Sequence, residues 1–174
     1  MFEQSVEGLI RALGSKLDDR CAQRLRSAGI EVKGKLKVAY PVAAWVQALW
    51  IAGETLAPGM GKDEATYQVG RRFIEAYEST LMGKAAYTMA RVVGPKRTLE
   101  RMTRNFRTGS SYGTSKLTEL APGRFELWCA PVSVPGFYRG VVEAGLEIAG
   151  AKAPKVQLVR WEKPEEAVFD VTWS

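Results

Sequence analysis

The sequence predicts an α+β fold in which an N-terminal helical layer packs on a mostly antiparallel sheet. Apolar residues recur at helical spacing as far as Phe106 and alternate in four short segments after Gly109, and one helical segment divides those four into two pairs. Helices followed by a strand-strand-helix-strand-strand unit are typical of this class. The 174 residues, 46% of them hydrophobic, fit a single domain over residues 1–174.

Helical periodicity, proline and glycine define the predicted helices. In chain order these are residues 5–13, 16–28, 42–57, 63–81, 84–93, a segment that begins at Pro95, and 136–149. Pro41 and Pro95 are suited to a first helical turn, whereas Gly29 and Pro58 are stop signals. Gly70 lies within an apolar helix face, which indicates close approach by another backbone.

Alternation predicts the strands, which are residues 113–120, 124–130, 155–161 and 167–173. The first pair is joined by Ala-Pro-Gly and places Phe125, Leu127 and Cys129 on one face. The second pair is joined by a turn at residues 162–165. Helix 136–149 has an apolar arc too wide for one sheet face to cover, so we expect it to pack on other helices as well.

Composition excludes several classes of enzyme. The chain has no histidine, which removes Ser-His-Asp and Cys-His catalysis, HExxH zinc sites and histidine-ligated haem. Gly59-Met60-Gly61-Lys62 lacks the spacing of a phosphate-binding loop. Glu143 and Glu147 share a polar strip with Arg139 and are predicted to be surface ion pairs. We therefore expect no catalytic residue, no metal site, no cofactor and no enzymatic activity.

The termini and cysteines indicate a cytoplasmic protein. The N-terminus places acids where a secretory signal needs positive charge, and no apolar run approaches the ~20 residues that span a bilayer. Cys21 and Cys129 are consequently predicted to be reduced thiols inside the core.

Five apolar residues fall on the predicted inward faces of two helices, and they are the candidate ligand site: Phe73, Tyr77, Leu81, Phe137 and Val141. Methionines and aromatic residues nearby make an adaptable interior. Aromatic residues at helical spacing are also typical of ordinary core packing, which is the alternative interpretation. The hypothesis is a shared pocket between the helical layer and the sheet.

The net charge of +6 is concentrated in one segment. Residues 91–107 contain six cations and one acid, Glu100. Arg97, Arg101 and Arg104 lie opposite the apolar face of Leu99, Met102 and Phe106 and repel one another at helical spacing. The stripe is either a solvated surface or a site for a partner protein or small anion, with the C-terminal acids as intramolecular candidates. Nucleic acid is the least expected partner, because recognised binding motifs are missing.

A homodimer is predicted from excess apolar helical surface at Trp45, Leu49 and Trp50, because large exposed patches are uncommon in monomers. Light scattering tests this expectation.

Several motifs carry a resemblance to a known family. The segments APGMGKDEATYQVGRRF, ESTLMGKA, VVGPKRTLERMTRNFRTGSSY, PGFYRGVVEAGLEIAGA and FDVTW resemble a family of uncharacterised proteins found mainly in myxobacteria. More distantly, helix 136–150 and the two strands after it resemble a superfamily of 4-vinyl-reductase-type domains, haem-dependent nitric-oxide sensors and TRAPP tethering subunits.

That resemblance implies a dimer-forming α+β fold around an apolar pocket or tunnel. The chain departs from the cofactor-bearing branches, since it has no histidine and no cysteine in its last two strands. The leading hypothesis is a non-enzymatic domain that binds a small apolar or amphipathic molecule and acts through partner proteins. A ligand-free dimeric scaffold is the alternative, and nucleic-acid binding through the arginine stripe is third.

Overall fold

The computed structural model describes residues 3–106, 113–162 and 165–174. The described helices are α1 (Glu3–Leu13), α2 (Asp19–Ser27), α3 (Val42–Leu56), α4 (Lys62–Tyr77), α5 (Leu81–Phe106) and α6 (Pro135–Ile148). The strands are β1 (Thr114–Ala121), β2 (Arg124–Ala130), β3 (Lys155–Glu162) and β4 (Glu166–Thr172). The predicted α+β class and element order are confirmed. Arg107, Gly109 and the turn residues Lys163 and Pro164 lie outside the described residues.

The first four helices enclose a helical core. Its fully buried side chains include Val6, Leu9, Leu25, Leu49 and Val69. Trp45 belongs to the same core at 5% exposure, and the half-buried Trp50 lies under the ammonium group of Lys62, 4.4 Å from the ring centroid. Trp45 and Leu49 are therefore not the exposed surface on which the predicted dimer was based, because the chain itself buries them, whereas Trp50 stays partly exposed.

The sheet has the strand order β1-β2-β4-β3, with every neighbouring pair antiparallel. Its inner face and α6 enclose a second, sheet core. Phe125, Leu127 and Cys129 point into it as predicted, and Leu127 lies opposite Phe169 of β4. Hydrophobic residues alternate along β2 because one face is buried and the other faces solvent.

Helix α5 is kinked at Gly94, whose φ of 80° is outside the helical region. The predicted break at Gly94-Pro95 is confirmed as this kink. The second half, residues 95–106, turns Leu99 into the sheet core and half-buries Met102 and Phe106. In the first half, residues 81–93, which is fully described, only Gly83 and Tyr87 are buried.

Helices α4 and α6 join the two cores. Their backbones touch: a Cβ at Gly70 would lie 2.2 Å from the carbonyl oxygen of Phe137, and one at Gly140 would lie 2.1 Å from that of Tyr67. The predicted close approach at Gly70 and the double packing of α6 are both confirmed. Across the part of the chain that the structure describes, the helices lack the combination of length and hydropathy required to cross a membrane.

Candidate functional site

A continuous series of aromatic rings runs from the helical core to the sheet core. We call this set the aromatic junction, and its members are Trp45, Phe73, Phe106, Phe137, Tyr138 and Phe169. The Phe137 ring meets Phe73 edge-on at 5.4 Å between centroids and Trp45 at 5.8 Å. Both distances lie in the range that favours T-shaped aromatic pairs.

Adjacent residues on α6 carry the series across. Phe137 and Tyr138 differ in direction by about 100° because a helix has 3.6 residues per turn. Phe137 therefore packs on the helical core, whereas Tyr138 packs on Phe106 at 5.1 Å and stacks on Phe169 at 6.5 Å. A shift of α6 would consequently change the packing of both cores.

Two glycines provide space for the large side chains at this junction. A Cβ at Gly8 of α1 would lie 2.4 Å from the Phe73 ring, so the ring lies directly against the α1 backbone. A Cβ at Gly145 of α6 would lie 2.6 Å from the sulfur of Met102. The Phe73 ring and the Met102 thioether therefore both lie directly against helix backbone. Of the two, the methionine side chain changes conformation more easily.

A polar network borders the same helix pair. Three contacts step along both helices together: Asp63 with Arg139 at 2.5 Å, the Tyr67 hydroxyl donating to Glu143, and Arg71 with Glu147 at 2.7 Å. The parallel advance shows that α4 and α6 run in the same direction. Arg139, Glu143 and Glu147 do form ion pairs as predicted, but their partners lie on α4, so the pairs bridge two helices, and Glu143 is half-buried.

The network affects two ionisable groups. Burial, followed by the hydrogen bond to Glu143, raises the pKa of the Tyr67 phenol. The bidentate bond to Glu147 is the largest cause that raises the pKa of the Arg71 guanidinium. Glu143 also accepts the backbone N–H of Val156 at 3.2 Å, which ties α6 to the start of β3. The network thus holds its neutral phenol and its charged guanidinium over the physiological pH range.

The structure brings together part of the predicted ligand site. Phe73 and Phe137 are in ring contact, and Val141 is buried one turn further along α6. Tyr77 lies in the last turn of α4 and contacts Tyr87 at 6.4 Å. Leu81 is separate, because α4 ends at Tyr77 and Leu81 begins α5 with 87% of its surface exposed.

Four residues belong to the junction but not to the predicted ligand site: Trp45, Phe106, Tyr138 and Phe169. The wide apolar arc of α6 could have indicated Tyr138, because adjacent aromatic residues on a helix that packs on two layers must face different layers. The local pattern holds no comparable signal for Phe169, whose place depends on the pairing of β4 with β2.

The arginine stripe is exposed as predicted, with Arg97, Arg101 and Arg104 opposite the buried Leu99. No carboxylate among the described residues lies within 4.0 Å of any of the three. The C-terminal acids have other partners, which are Arg160 for Glu162, Ser133 for Glu165, Trp128 for Glu166 and Arg124 for Asp170. The intramolecular alternative for the stripe is therefore wrong.

Other candidate sites lie apart from the junction. An open groove of about 570 Å³ on the outer sheet face is lined by Trp128, Val168 and charged residues, and a smaller one of about 320 Å³ lies between α2 and α3. The described residues contain no cluster of three metal-ligating side chains. Burial raises the pKa of the Cys129 thiol to about 12, so this cysteine is an unreactive core residue.

Comparisons with known proteins identify similar folds. The fold is similar to that of an oxygen-binding H-NOX domain related to soluble guanylate cyclases, at 15% identity and a TM-score of 0.72, covering 100% of this chain and 95% of that one. It is also similar to an Fe(II) unliganded H-NOX protein from K. algicida, at 13% identity and a TM-score of 0.66, covering 100% and 97%.

A third similar structure comes from work on haem distortion in the H-NOX family, at 14% identity and a TM-score of 0.75, covering 100% and 95%. These likenesses establish a shared fold. A comparison with curated proteins gives no match. The profile described as "Protein of unknown function (DUF2378)" matches residues 1–174, and the chain belongs to that family.

Proposed function

We propose that the protein is a non-enzymatic sensory domain that binds a small apolar or amphipathic molecule at the aromatic junction and acts through protein partners. The observation that carries the proposal is the junction itself, a series of rings that joins two hydrophobic cores through Phe137 and Tyr138. The fold supports it, because a similar fold serves an oxygen-binding domain.

A ligand at the junction would act by separating rings. Phe73, Phe137 and Tyr138 are all half-buried rather than fully enclosed, so part of each ring is open to a ligand from the surface. Binding between Phe137 and the helical core would displace α6 relative to α1 and α3. Because Glu143 holds both Tyr67 and the Val156 backbone, such a displacement would be transmitted to α4 and β3.

Histidine-ligated haem does not fit this chain. The whole sequence lacks histidine, the usual proximal ligand of sensor and globin haems. Cys129 offers no thiolate in its place, because it lies in the sheet core and its pKa is raised to about 12. We therefore propose an organic ligand whose affinity comes mainly from buried apolar surface.

The experiment uses methionine methyl groups as reporters. Met102 lies against Gly145 one turn before Phe106, whereas Met60 is 52% exposed in the loop before α4. In protein labelled with ¹³C-methyl methionine, titration with laurate or indole should shift the Met102 signal saturably and leave Met60 in place. The variant Phe137→Trp, which fills the junction, should abolish the shift.

Native mass spectrometry of protein purified from its own host provides the second measurement. A mass above that of the 19.2 kDa chain, lost in Phe137→Trp, would identify the resident molecule. An unshifted Met102 together with a bare chain mass would reject the ligand proposal. Our alternative, a ligand-free interaction scaffold, would then be preferred, and the exposed side chains on the first half of α5 favour it.

The homodimer stays a prediction, although Trp45 and Leu49, two of the three residues on which it was based, are buried. Light scattering at micromolar concentration should give about twice 19.2 kDa if it is right. A cytoplasmic location is likewise proposed from the sequence. Nucleic-acid binding remains the third alternative, and it rests on the exposed arginine stripe.

A further inference from the structure

The first half of α5 presents an unusual amount of apolar side chain to solvent. Its exposed large side chains are Leu81 at 87%, Met82 at 73%, Met89 at 48% and Val92 at 78%, and Ala85 and Ala86 between them are exposed as well. At 3.6 residues per turn, all six fall within an arc of about 140°. Tyr87, on the opposite side of the helix, is buried.

The arc is presented by an anchored helix. The Tyr87 hydroxyl donates to the carbonyl of Ile74, and the Tyr87 ring contacts Tyr77. Gly83 lies so close to the end of α4 that a Cβ there would be 1.8 Å from the carbonyl oxygen of Tyr77. These contacts fix which face is inward and leave the apolar arc outward. Contiguous exposed apolar surface of this kind marks interaction sites.

The spacing in the arc suits a partner helix. Met82, Ala85, Met89 and Val92 follow a three-four-three spacing, which is the pattern along which two packed helices interdigitate. Lys84 and Arg91, seven residues apart, lie along one flank of the arc, and both are exposed. Within the described residues, no carboxylate lies within 4.0 Å of either cation.

We infer that the first half of α5 is the docking surface for an acidic amphipathic helix of a partner protein. Carboxylates on such a helix would pair with Lys84 and Arg91 while its apolar residues cover the arc. A second copy of this surface is a poorer occupant, because residues 81–93 contain no acid to pair with those cations.

An anionic membrane is also a poorer occupant. Helices that lie in the membrane interface characteristically carry tryptophan, phenylalanine and leucine on the apolar face, whereas this arc has no aromatic residue and a single leucine, Leu81. Methionine-rich surfaces are characteristic of binding to partner helices, because the side chain adapts to different partners.

The inference gives a partner class to the sensory function proposed above, but its test is separate. The probes are two synthetic helical peptides with leucine along the seam, one with glutamate and one with lysine at the flanking positions. Binding to the full chain is measured by fluorescence anisotropy in low and physiological salt. If neither peptide binds, the result of the methionine titration at the junction is unaffected. The docking proposal can therefore be rejected without rejecting the ligand proposal.

The acidic peptide should bind at least tenfold more tightly than the basic one. Met89→Glu should weaken its binding at least tenfold, whereas Val38→Glu, which changes an equally apolar residue with 79% exposure in the loop before α3, should not. Lys84→Gln/Arg91→Gln should weaken binding and flatten its salt dependence. Circular dichroism and thermal unfolding confirm that each variant remains folded.

Three results would overturn the inference. One is equal affinity for the two peptides, or none measurable below about 1 mM. Another is binding of the chain to phosphatidylglycerol vesicles that Met89→Glu abolishes and that the acidic peptide does not inhibit. That result would assign the surface to a membrane. The third is a wild-type dimer that Met89→Glu dissociates, which would assign it to a second copy.

Discussion

The α4–α6 interface and the first half of α5 are both helical, but they bury their surfaces in opposite ways. In the interface, glycines bring two backbones into contact and three polar pairs cover its border. In the first half of α5, two residues are buried and the apolar side chains face solvent. The first region satisfies its contacts within the chain, whereas the second leaves large apolar side chains exposed.

Under the proposed function, this contrast would divide the two tasks of a sensor between two regions. A signal generated at the aromatic junction must move a helix that both cores contact, and α6 has that property. A signal is received by a partner at a surface that the fold itself does not need to cover, and the first half of α5 has that property. Substitutions in each region therefore have different expected consequences.

The largest effect is expected from a methyl group at the helix interface. In Gly70→Ala the new Cβ would lie 2.2 Å from the Phe137 carbonyl oxygen and 2.9 Å from the Val141 nitrogen, both backbone atoms. Relief requires the helices to move apart, so we expect a loss of at least ~2 kcal/mol in the free energy of unfolding, as overpacked cores show. Urea denaturation monitored by circular dichroism measures it.

Gly61→Ala is the matched control for that substitution. Gly61 precedes α4, its φ is −60°, and no atom lies within 4 Å of a Cβ placed there. The same chemical change should alter the free energy of unfolding by no more than ~0.5 kcal/mol. Equal losses in the two variants would show that the α4–α6 backbones are not in contact.

A smaller effect is expected where α5 is anchored. Tyr87→Phe removes the hydroxyl that donates to the Ile74 carbonyl, and one such hydrogen bond contributes ~1 kcal/mol. Amide hydrogen exchange in residues 81–93 should accelerate more than exchange in α6. If exchange in α6 changed equally, the first half of α5 would be a cooperative part of the core and not a separable surface.

The same tyrosine predicts a pH dependence. Burial, with smaller contributions from neighbouring Glu78, Tyr77 and Glu75, raises the pKa of the Tyr87 phenol. The unfolded chain, in which the phenol has a pKa of ~10, therefore releases the proton first as pH rises. The free energy of unfolding should fall above about pH 10. The fall should be shallower in Tyr87→Phe, with Tyr67 accounting for part of the remainder.

The framework of helices and strands is predictable because the signals for its elements are local. Proline at 41 and 95, glycine at 29 and 94, and alternation around Phe125 each depend on neighbours a few residues away. The contact at Gly70 is predictable as well, since a helix interior disfavours glycine unless a close neighbour leaves no room for a side chain. These signals need no knowledge of tertiary placement.

The site is predictable only in part because its geometry depends on long-range packing. Apolar periodicity assigns Leu81 to the wrong helix, since nothing in the local sequence marks the end of α4 at Tyr77. The apolar face containing Trp45 can be distinguished from an interface only once α1 and α4 are seen to cover it. The pairs that join Tyr67 to Glu143 and Arg71 to Glu147 span 76 residues and leave no periodic trace.

The smallest effect on stability is expected at the arginine stripe on the second half of α5. Arg101→Gln/Arg104→Gln should change the free energy of unfolding by no more than ~0.5 kcal/mol, since both side chains are exposed and no described carboxylate pairs with them. Any change should be a slight gain, because like charges at helical spacing repel. Salt should diminish it, since exposed charges are screened beyond ~8 Å at physiological ionic strength.

Arg20→Gln/Lys35→Gln is the control, because it removes two exposed cations elsewhere and lowers the net charge equally. If the stripe is a site for an acidic partner or a small anion, the stripe variant alone should weaken binding of the acidic peptide or of inorganic phosphate. Equal behaviour of both variants would make the stripe a solvated surface. Sequence-selective binding of duplex DNA that survives physiological salt would instead support a nucleic-acid site, because unspecific attraction to phosphates is weak under those conditions.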